Sequence, residues 1–126
     1  MNRSAEDYIK TIYILKTRTD SIRSVDVARE LGYSKASVSL ALSNLRKRDI
    51  IIMKKDGGIE FTQAGRKIAE EIYERYVMLC SFLRDAAGVD ETTAKKDAWR
   101  IGYYLSDLTY EGIRQFIEDR ERVLLS

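Results

Sequence analysis

Apolar residues near the start of the chain recur every three or four positions. Ile9, Ile12 and Tyr13 fall on one face of residues 4–17, which is the spacing of an amphipathic helix. Ser4 is a candidate N-cap, and acids follow it in the first turn, where negative charge favours a helix start. The pattern predicts a first helix over residues 4–17.

Two more helices are predicted before residue 50. The segment SVDVARELG opens with Ser24 as a candidate N-cap and closes with Gly32, where a helix is expected to stop. Residues 34–48, SKASVSLALSNLRKR, then carry apolar side chains at positions i, i+3, i+4 and i+7. These residues are Val38, Ala41, Leu42 and Leu45.

The next segment, DIIIMKKDGGIEFT, has the composition of a β-hairpin. We predict two short strands over residues 50–54 and 59–62. The turn between them contains Asp56, Gly57 and Gly58, which tolerate the positive φ angles that tight hairpin turns require.

A long helix is predicted after the hairpin. Thr62 is its candidate N-cap, and its apolar residues keep the 3.6-residue period until Gly88. At about 1.5 Å per residue this helix would extend on the order of 36 Å. We therefore expect it to connect two modules.

Two further helices complete the predicted fold, which is mostly α-helical. They cover residues 90–105, with Asp90 as candidate cap, and residues 107–123, with Ser106 or Asp107 as candidate cap. The order of the first elements is helix, short helix, helix and hairpin. This order is typical of a winged helix-turn-helix, whose third helix enters the major groove of DNA.

Composition excludes several kinds of chemistry. A single cysteine, Cys80, cannot form an intramolecular disulfide, and the chain has no histidine. The usual zinc sites and the Ser-His and Cys-His catalytic arrangements are therefore excluded, and we do not expect an enzyme. The sequence has no run of roughly 18 apolar residues and no basic start typical of a signal peptide, so we expect a soluble cytoplasmic protein without membrane partners.

Positive charge is concentrated in the first half of the chain. Residues 1–62 hold 12 Lys and Arg against 8 Asp and Glu, a net of +4, whereas residues 63–126 hold 10 against 12, a net of −2. The excess coincides with the third predicted helix and the hairpin, so we predict that this part binds double-stranded DNA.

Small side chains on the outer face of the third helix would allow a close approach to base edges. Serine hydroxyls can hydrogen-bond to phosphates or bases, and Ala36 can contact a thymine methyl group. Basic residues after the helix and on the hairpin, together with the N–H groups of the helix start, would bind phosphate. The candidate DNA-binding residues are Ser24, Ser34, Lys35, Ala36, Ser37, Ser39, Ser43, Arg46, Lys47, Arg48, Lys54 and Lys55. The alternative is an amphipathic helix with a solvated basic end.

Longer stretches of the sequence resemble the bacterial metal-dependent repressors that include the diphtheria toxin repressor and the manganese transport regulator. These stretches are SAEDYIKTIYIL, VDVARELGYSKASVSLALSNLRKRDII, IEFTQAGRKIAEEI, YERYVMLCSFLRDAAGVDE and DAWRIGYYLS. The resemblance covers nearly the whole chain. It implies a winged helix-turn-helix DNA-binding domain over residues 1–62, a helical dimerisation domain over residues 63–126, and a homodimeric repressor on a pseudo-palindromic operator. We expect the C-terminal SH3-like domain of some members to be absent.

In this family a Mn²⁺ or Fe²⁺ ion lies between the first helix and the dimerisation helices, bound by His, Glu, Asp, Cys or Met. The matching motifs place the corresponding positions at Asp7, Lys10, Tyr76, Cys80, Lys95, Trp99, Gly102 and Tyr103. Only Asp7 and Cys80 coordinate readily, because ammonium, indole and glycine offer no suitable lone pair and two cations would repel the ion. We therefore expect the usual metal site to be lost.

Several interpretations of this departure stay open. In the first, Lys10 or Lys95 supplies a built-in positive charge that pairs with Asp7, and DNA binding needs no metal. The remaining space would be filled by Trp99, Tyr103 and Tyr104. In the second, the cleft binds a small organic effector, or Cys80 senses redox. In the third, non-standard ligands still bind a metal.

Simpler structural roles compete with each of these interpretations. Cys80 is also typical of an inert core residue. The aromatic residues are typical of ordinary packing or of a dimer interface, and Asp7 and Lys10 are typical of a local ion pair. A different function is a dimerising interaction protein that no longer binds DNA specifically, for example as a partner of a metal-dependent paralogue. Leu40 favours it, because an apolar side chain on the outer face forms no hydrogen bonds.

Overall fold

Helices and one hairpin follow each other in the predicted order in the computed structural model, which describes residues 3–125. The first two residues and the last residue of the predicted domains lie outside the described part. The elements are α1 (Arg3–Arg18), α2 (Ser24–Leu31), α3 (Lys35–Lys47), β1 (Ile51–Met53), β2 (Ile59–Phe61), α4 (Gln63–Ala87), α5 (Glu91–Tyr104) and α6 (Asp107–Leu125). The mostly α-helical fold with a winged helix-turn-helix is confirmed.

The predicted caps Thr62, Asp90 and Ser106 are confirmed, and Ser34 caps α3 in the same way. Each cap side chain accepts a hydrogen bond from the backbone N–H three residues further on, which satisfies a donor that the first turn leaves unpaired. These bonds run from Ser37 to Ser34 at 3.1 Å, from Gly65 to Thr62 at 2.9 Å, from Thr93 to Asp90 at 3.0 Å and from Thr109 to Ser106 at 3.1 Å.

Two predicted caps are wrong. Ser4 lies inside α1, which already includes Arg3. Ser24 is the first residue of α2, and Arg23 is its N-cap. The Asp26 carboxylate accepts a hydrogen bond from the Arg23 backbone N–H at 2.8 Å, so this acid closes the first turn one residue earlier than the serine would.

The hairpin is shorter than predicted at three of its four strand ends. Ile51 pairs with Phe61 and Met53 with Ile59 in an antiparallel register. Lys54 lies after β1, and its carbonyl accepts from the Gly57 N–H at 2.9 Å, which closes the turn. At the other end, Ile50 precedes β1 and Thr62 leaves β2 to cap α4.

The chain forms two compact units, Met1–Tyr73 and Glu74–Ser126. The core of the first unit unites α1, α2, α3, the hairpin and the start of α4. It is made of fully buried aliphatic side chains: Ile9, Ile12, Ile22, Val27, Val38, Leu42, Leu45, Ile51 and Ile59. At about 1.5–3 kcal/mol for each side chain removed from water, this core is the main stabilising term of the unit.

The start of α4 lies directly against the backbone of the hairpin. The Thr62 hydroxyl donates to the Asp49 carbonyl at 2.7 Å, and the Thr62 N–H donates to the Ile50 carbonyl at 3.0 Å. A Cβ added at Gly65 would lie 1.8 Å from the Ile50 carbonyl oxygen. Only glycine allows this approach, so Gly65 determines how closely α4 docks.

The second unit is organised around Leu79 on α4 and Ala94 and Ala98 on α5, all fully buried. Arg75 joins α4 to the turn before α6, since its guanidinium contacts the Asp107 carboxylate at 3.0 Å and the Leu105 carbonyl. Within residues 3–125, no helix combines the length and hydrophobicity that a membrane span requires.

Candidate nucleic-acid interface

Helix α3 presents a polar face to solvent because its apolar face is buried in the core. Val38, Leu42 and Leu45 are at most 2% exposed. From residue 34 to residue 48 the exposed residues are Ser34, Lys35, Ala36, Ser37, Ser39, Leu40, Asn44, Arg46, Lys47 and Arg48. The fold therefore leaves room for a ligand along α3, as the hydrophobic pattern predicted.

A glycine turn sets the angle between α2 and α3. Gly32 adopts φ 70°, the left-handed region that glycine enters without strain, and its N–H donates to the Ala28 carbonyl at 2.9 Å. Tyr33 follows and makes an edge-to-face contact with Tyr8 of α1, with ring centroids 6.1 Å apart. These contacts fix the start of α3 on the first helix.

The serines at the start of α3 have different roles. The Ser34 hydroxyl accepts from the Ser37 N–H and lies 2.9 Å from the Ser37 hydroxyl. It is therefore largely engaged within the protein. Ser39 is exposed, and no partner of its side chain is recorded within residues 3–125, whereas Ser24 and Ser43 are half-buried.

The hairpin turn holds two exposed lysines, Lys54 and Lys55. The Asp56 carboxylate accepts from the Gly58 N–H at 2.8 Å, and Gly57 adopts φ 87°. The Asp56 side chain therefore stabilises the turn from within, and this conformation does not depend on a ligand.

Glu60 on β2 is a charged residue of the wing that the sequence analysis missed. Its carboxylate lies 2.8 Å from the Lys16 ammonium and 3.3 Å from the Lys54 ammonium. The hydrogen bond from Lys16 lowers the pKa of Glu60, and the bond from Lys54 acts in the same direction. Lys16 and Glu60 are far apart in sequence, so no local pattern indicates this pair.

The positions that correspond to the family's metal ligands divide between the two units. In the first unit, Asp7 is half-buried, and Lys10 is 2% exposed. In the second unit, Lys95 is mostly exposed and lies 3.4 Å from the Glu91 carboxylate.

Apolar packing dominates the second-unit positions. Tyr76 and Trp99 meet edge to face with ring centroids 5.5 Å apart. Gly102 lies against Leu79, whose Cδ1 would be 3.7 Å from an added Cβ. Tyr103 makes an edge-to-face contact with Tyr104, which is 72% exposed and therefore does not fill buried space as predicted.

The thiol of Cys80 belongs to this apolar cluster. Its Sγ lies 4.0 Å from the Ala94 carbonyl oxygen, and its side chain is 9% exposed. Burial raises the pKa of Cys80, so little reactive thiolate forms at neutral pH. This environment is that of a packed core cysteine.

Few side chains of the type that binds Mn²⁺ or Fe²⁺ stand at the positions that the family resemblance assigns to ligands. Within residues 3–125, no three His, Cys, Asp or Glu side chains lie close enough to bind one ion together. A lysine ammonium and an indole add no side-chain lone pair suited to these cations, and glycine has no side chain to add one.

Comparison with known proteins places both halves of the chain in one family. Residues 1–59 match the iron-dependent repressor N-terminal DNA-binding domain, and residues 62–122 match the iron-dependent repressor metal-binding and dimerisation domain. The HTH-type transcriptional regulator MntR of Geobacillus kaustophilus (strain HTA426) is 33% identical over 124 residues, which cover 95% of this chain and 87% of that protein.

Solved structures share the fold. The metal-dependent transcriptional regulator MtsR matches with a TM-score of 0.84 at 20% identity, over 94% of this chain and 55% of its own. A manganese-dependent transcriptional repressor in complex with manganese matches with a TM-score of 0.83 at 22% identity, over 90% of this chain and 52% of its own. The chain thus spans about half the length of these solved chains. From the domain matches and the similarity to MntR, the chain belongs to the iron-dependent repressor family of transcriptional regulators.

Proposed function

We propose that the chain is a DNA-binding transcriptional regulator of the repressor type that acts as a homodimer on a pseudo-palindromic operator. The observation that carries this proposal is the exposed polar face of α3, which the buried Val38, Leu42 and Leu45 hold outward. A helix so oriented can enter the major groove, with its N-terminal residues toward base edges.

Cations next to α3 support the same proposal. Arg46, Lys47 and Arg48 are exposed at the end of the helix, and Lys54 and Lys55 are exposed on the wing. All of these residues belong to the first unit. Contacts between such residues and phosphate supply affinity, whereas α3 supplies specificity.

We further propose that DNA binding does not depend on a metal at the family's usual site. The support is chemical: Lys10 and Lys95 stand where the family resemblance places ligands, and no three ligand-type side chains are grouped within residues 3–125. A lysine charge in place of the ion would keep the protein in a DNA-binding state without metal.

A single binding experiment tests both proposals. DNA selected from random sequence is titrated with the protein in EDTA and then with Mn²⁺, Co²⁺, Zn²⁺ or anaerobic Fe²⁺. We expect nanomolar-range affinity for selected DNA, with less than about fivefold change on adding metal, the lower end of ordinary allosteric coupling. A rise well above that range, reversed by chelator, would contradict metal independence but not DNA binding.

A second candidate function is a dimerising interaction protein that no longer binds DNA specifically. It is favoured by Leu40, which is 66% exposed on α3. Equal affinity for selected and random DNA, together with a stable dimer, would support this candidate against the first.

A further inference from the structure

The wing contains a carboxylate that is shared by two lysines. Glu60 Oε2 lies 2.8 Å from Lys16 Nζ, and Glu60 Oε1 lies 3.3 Å from Lys54 Nζ. The side chains of Lys16, Glu60 and Lys54 are 13%, 27% and 55% exposed, so the network runs from the protein body to the surface of the wing.

Lys16 makes more contacts within the protein than Lys54 does. Lys16 also donates to the Asp20 and Ile59 carbonyls, at 3.2 Å each, and is mostly buried. For Lys54, Glu60 is the one recorded side-chain partner within residues 3–125. Lys54 can therefore leave Glu60 without disrupting the wing, whereas Lys16 keeps Glu60 compensated after Lys54 has left.

We propose that Glu60 competes with DNA phosphate for Lys54 and thereby limits the contribution of the wing to DNA affinity. The inference rests on the proposed DNA-binding function and deepens it. In the free protein the carboxylate occupies the ammonium that would otherwise meet phosphate. It also places a negative charge beside the DNA backbone, which weakens the contact at any sequence.

The competition is permanent near neutral pH. The hydrogen bonds from Lys16 and Lys54 lower the pKa of Glu60, so the carboxylate stays charged until the pH falls well below neutrality. Glu60 therefore limits the DNA affinity of the wing throughout the physiological pH range and does not act as a pH switch there.

Glu60→Gln tests the inference, because glutamine keeps an acceptor for Lys16 and removes the charge. With random DNA we expect about twofold to fivefold tighter binding, the range of an exposed ion pair, and a plot of log affinity against log salt that is steeper by up to about 0.9. Glu71→Gln is the matched control, since Glu71 is exposed on α4 and the net charge changes equally. We expect it to leave both quantities close to wild type.

A second test compares the two lysines of the hairpin turn in the wild type and in the Glu60→Gln background. Lys55 is exposed, and no ion pair is recorded for it within residues 3–125. Lys54→Gln should therefore reduce the salt slope less than Lys55→Gln in the wild type, and the two losses should become similar in the Glu60→Gln background.

The outcomes separate this inference from the proposed function. The competition is overturned, and the proposed function stands, if the wild type binds DNA and two results follow. These results are that Glu60→Gln binds DNA no tighter than the wild type and that Lys54→Gln reduces the salt slope as much as Lys55→Gln does. If the wild type does not bind DNA, both are overturned. Melting temperatures establish that each variant is folded.

Discussion

Under the proposed function, individual residues on α3 and the wing would have separable tasks. Lys35, Ala36, Ser37 and Ser39 lie at the start of α3, where a helix in the major groove contacts bases. Lys55 is on the hairpin turn, where contact with the sugar-phosphate backbone is expected. Ser34 is mainly a cap, because its hydroxyl is engaged with Ser37.

Substitution at these residues should separate specificity from affinity. Lys35→Ala or Ser37→Ala should change the preferred operator and reduce discrimination by about 1–3 kcal/mol for each lost base contact. Lys55→Ala should weaken operator and random DNA alike and reduce the salt slope by about 1. Competition binding against a library of single-base operator variants measures both. Identical losses on operator and random DNA for all three variants would contradict the assigned roles.

Packing between elements depends on one glycine more than on any cap. Thr62 and Gly65 bring the start of α4 against the backbone at Ile50, where the strand β1 begins. A Cβ added at Gly65 would lie 1.8 Å from the Ile50 carbonyl oxygen, so there is no space for it. This oxygen belongs to the backbone and cannot move like a flexible side chain.

Gly65→Ala should therefore destabilise the first unit, by about 3 kcal/mol or more through overpacking, despite the higher helix propensity of alanine. Gly112→Ala is the control, since nothing lies within 4 Å of an added Cβ in α6. It should be neutral or stabilising by up to about 1 kcal/mol. Thermal melts followed by circular dichroism check both. A Gly65→Ala protein as stable as wild type would contradict the close approach.

At the scale of the whole molecule, we propose that DNA recognition and association belong to different parts of the chain. Residues 1–59 match a DNA-binding domain and residues 62–122 a metal-binding and dimerisation domain. Helix α6 carries exposed apolar side chains, among them Leu108 at 85% and Phe116 at 55%. A dimer would present two copies of α3 to one duplex.

A homodimer should protect a two-fold symmetric operator. We expect footprinting to show two half-sites whose centres are separated by about 10–10.5 base pairs or a multiple of that spacing. Analytical ultracentrifugation of the complex should give two chains per operator. Protection of a single asymmetric half-site would contradict the dimer model.

The sequence predicted the elements well because their signals are local. Helical periodicity, the caps Thr62, Asp90 and Ser106, and the glycines that end helices depend on residues three or four positions apart. The cap of α2 has a local cause too, since Asp26 bonds to the Arg23 N–H and makes Arg23 the N-cap in place of Ser24. The exposed face of α3 followed from the same periodicity.

What only the tertiary structure decided is the set of contacts between residues distant in sequence. The ion pair of Lys16 with Glu60, the docking of Gly65 on Ile50, and the burial of Lys10 to 2% exposure arise when separate elements pack together. The sequence by itself determined which residues carry charge and which helices form. The distance between two charges depends on the packed core, because spacing along the chain does not specify separation in space.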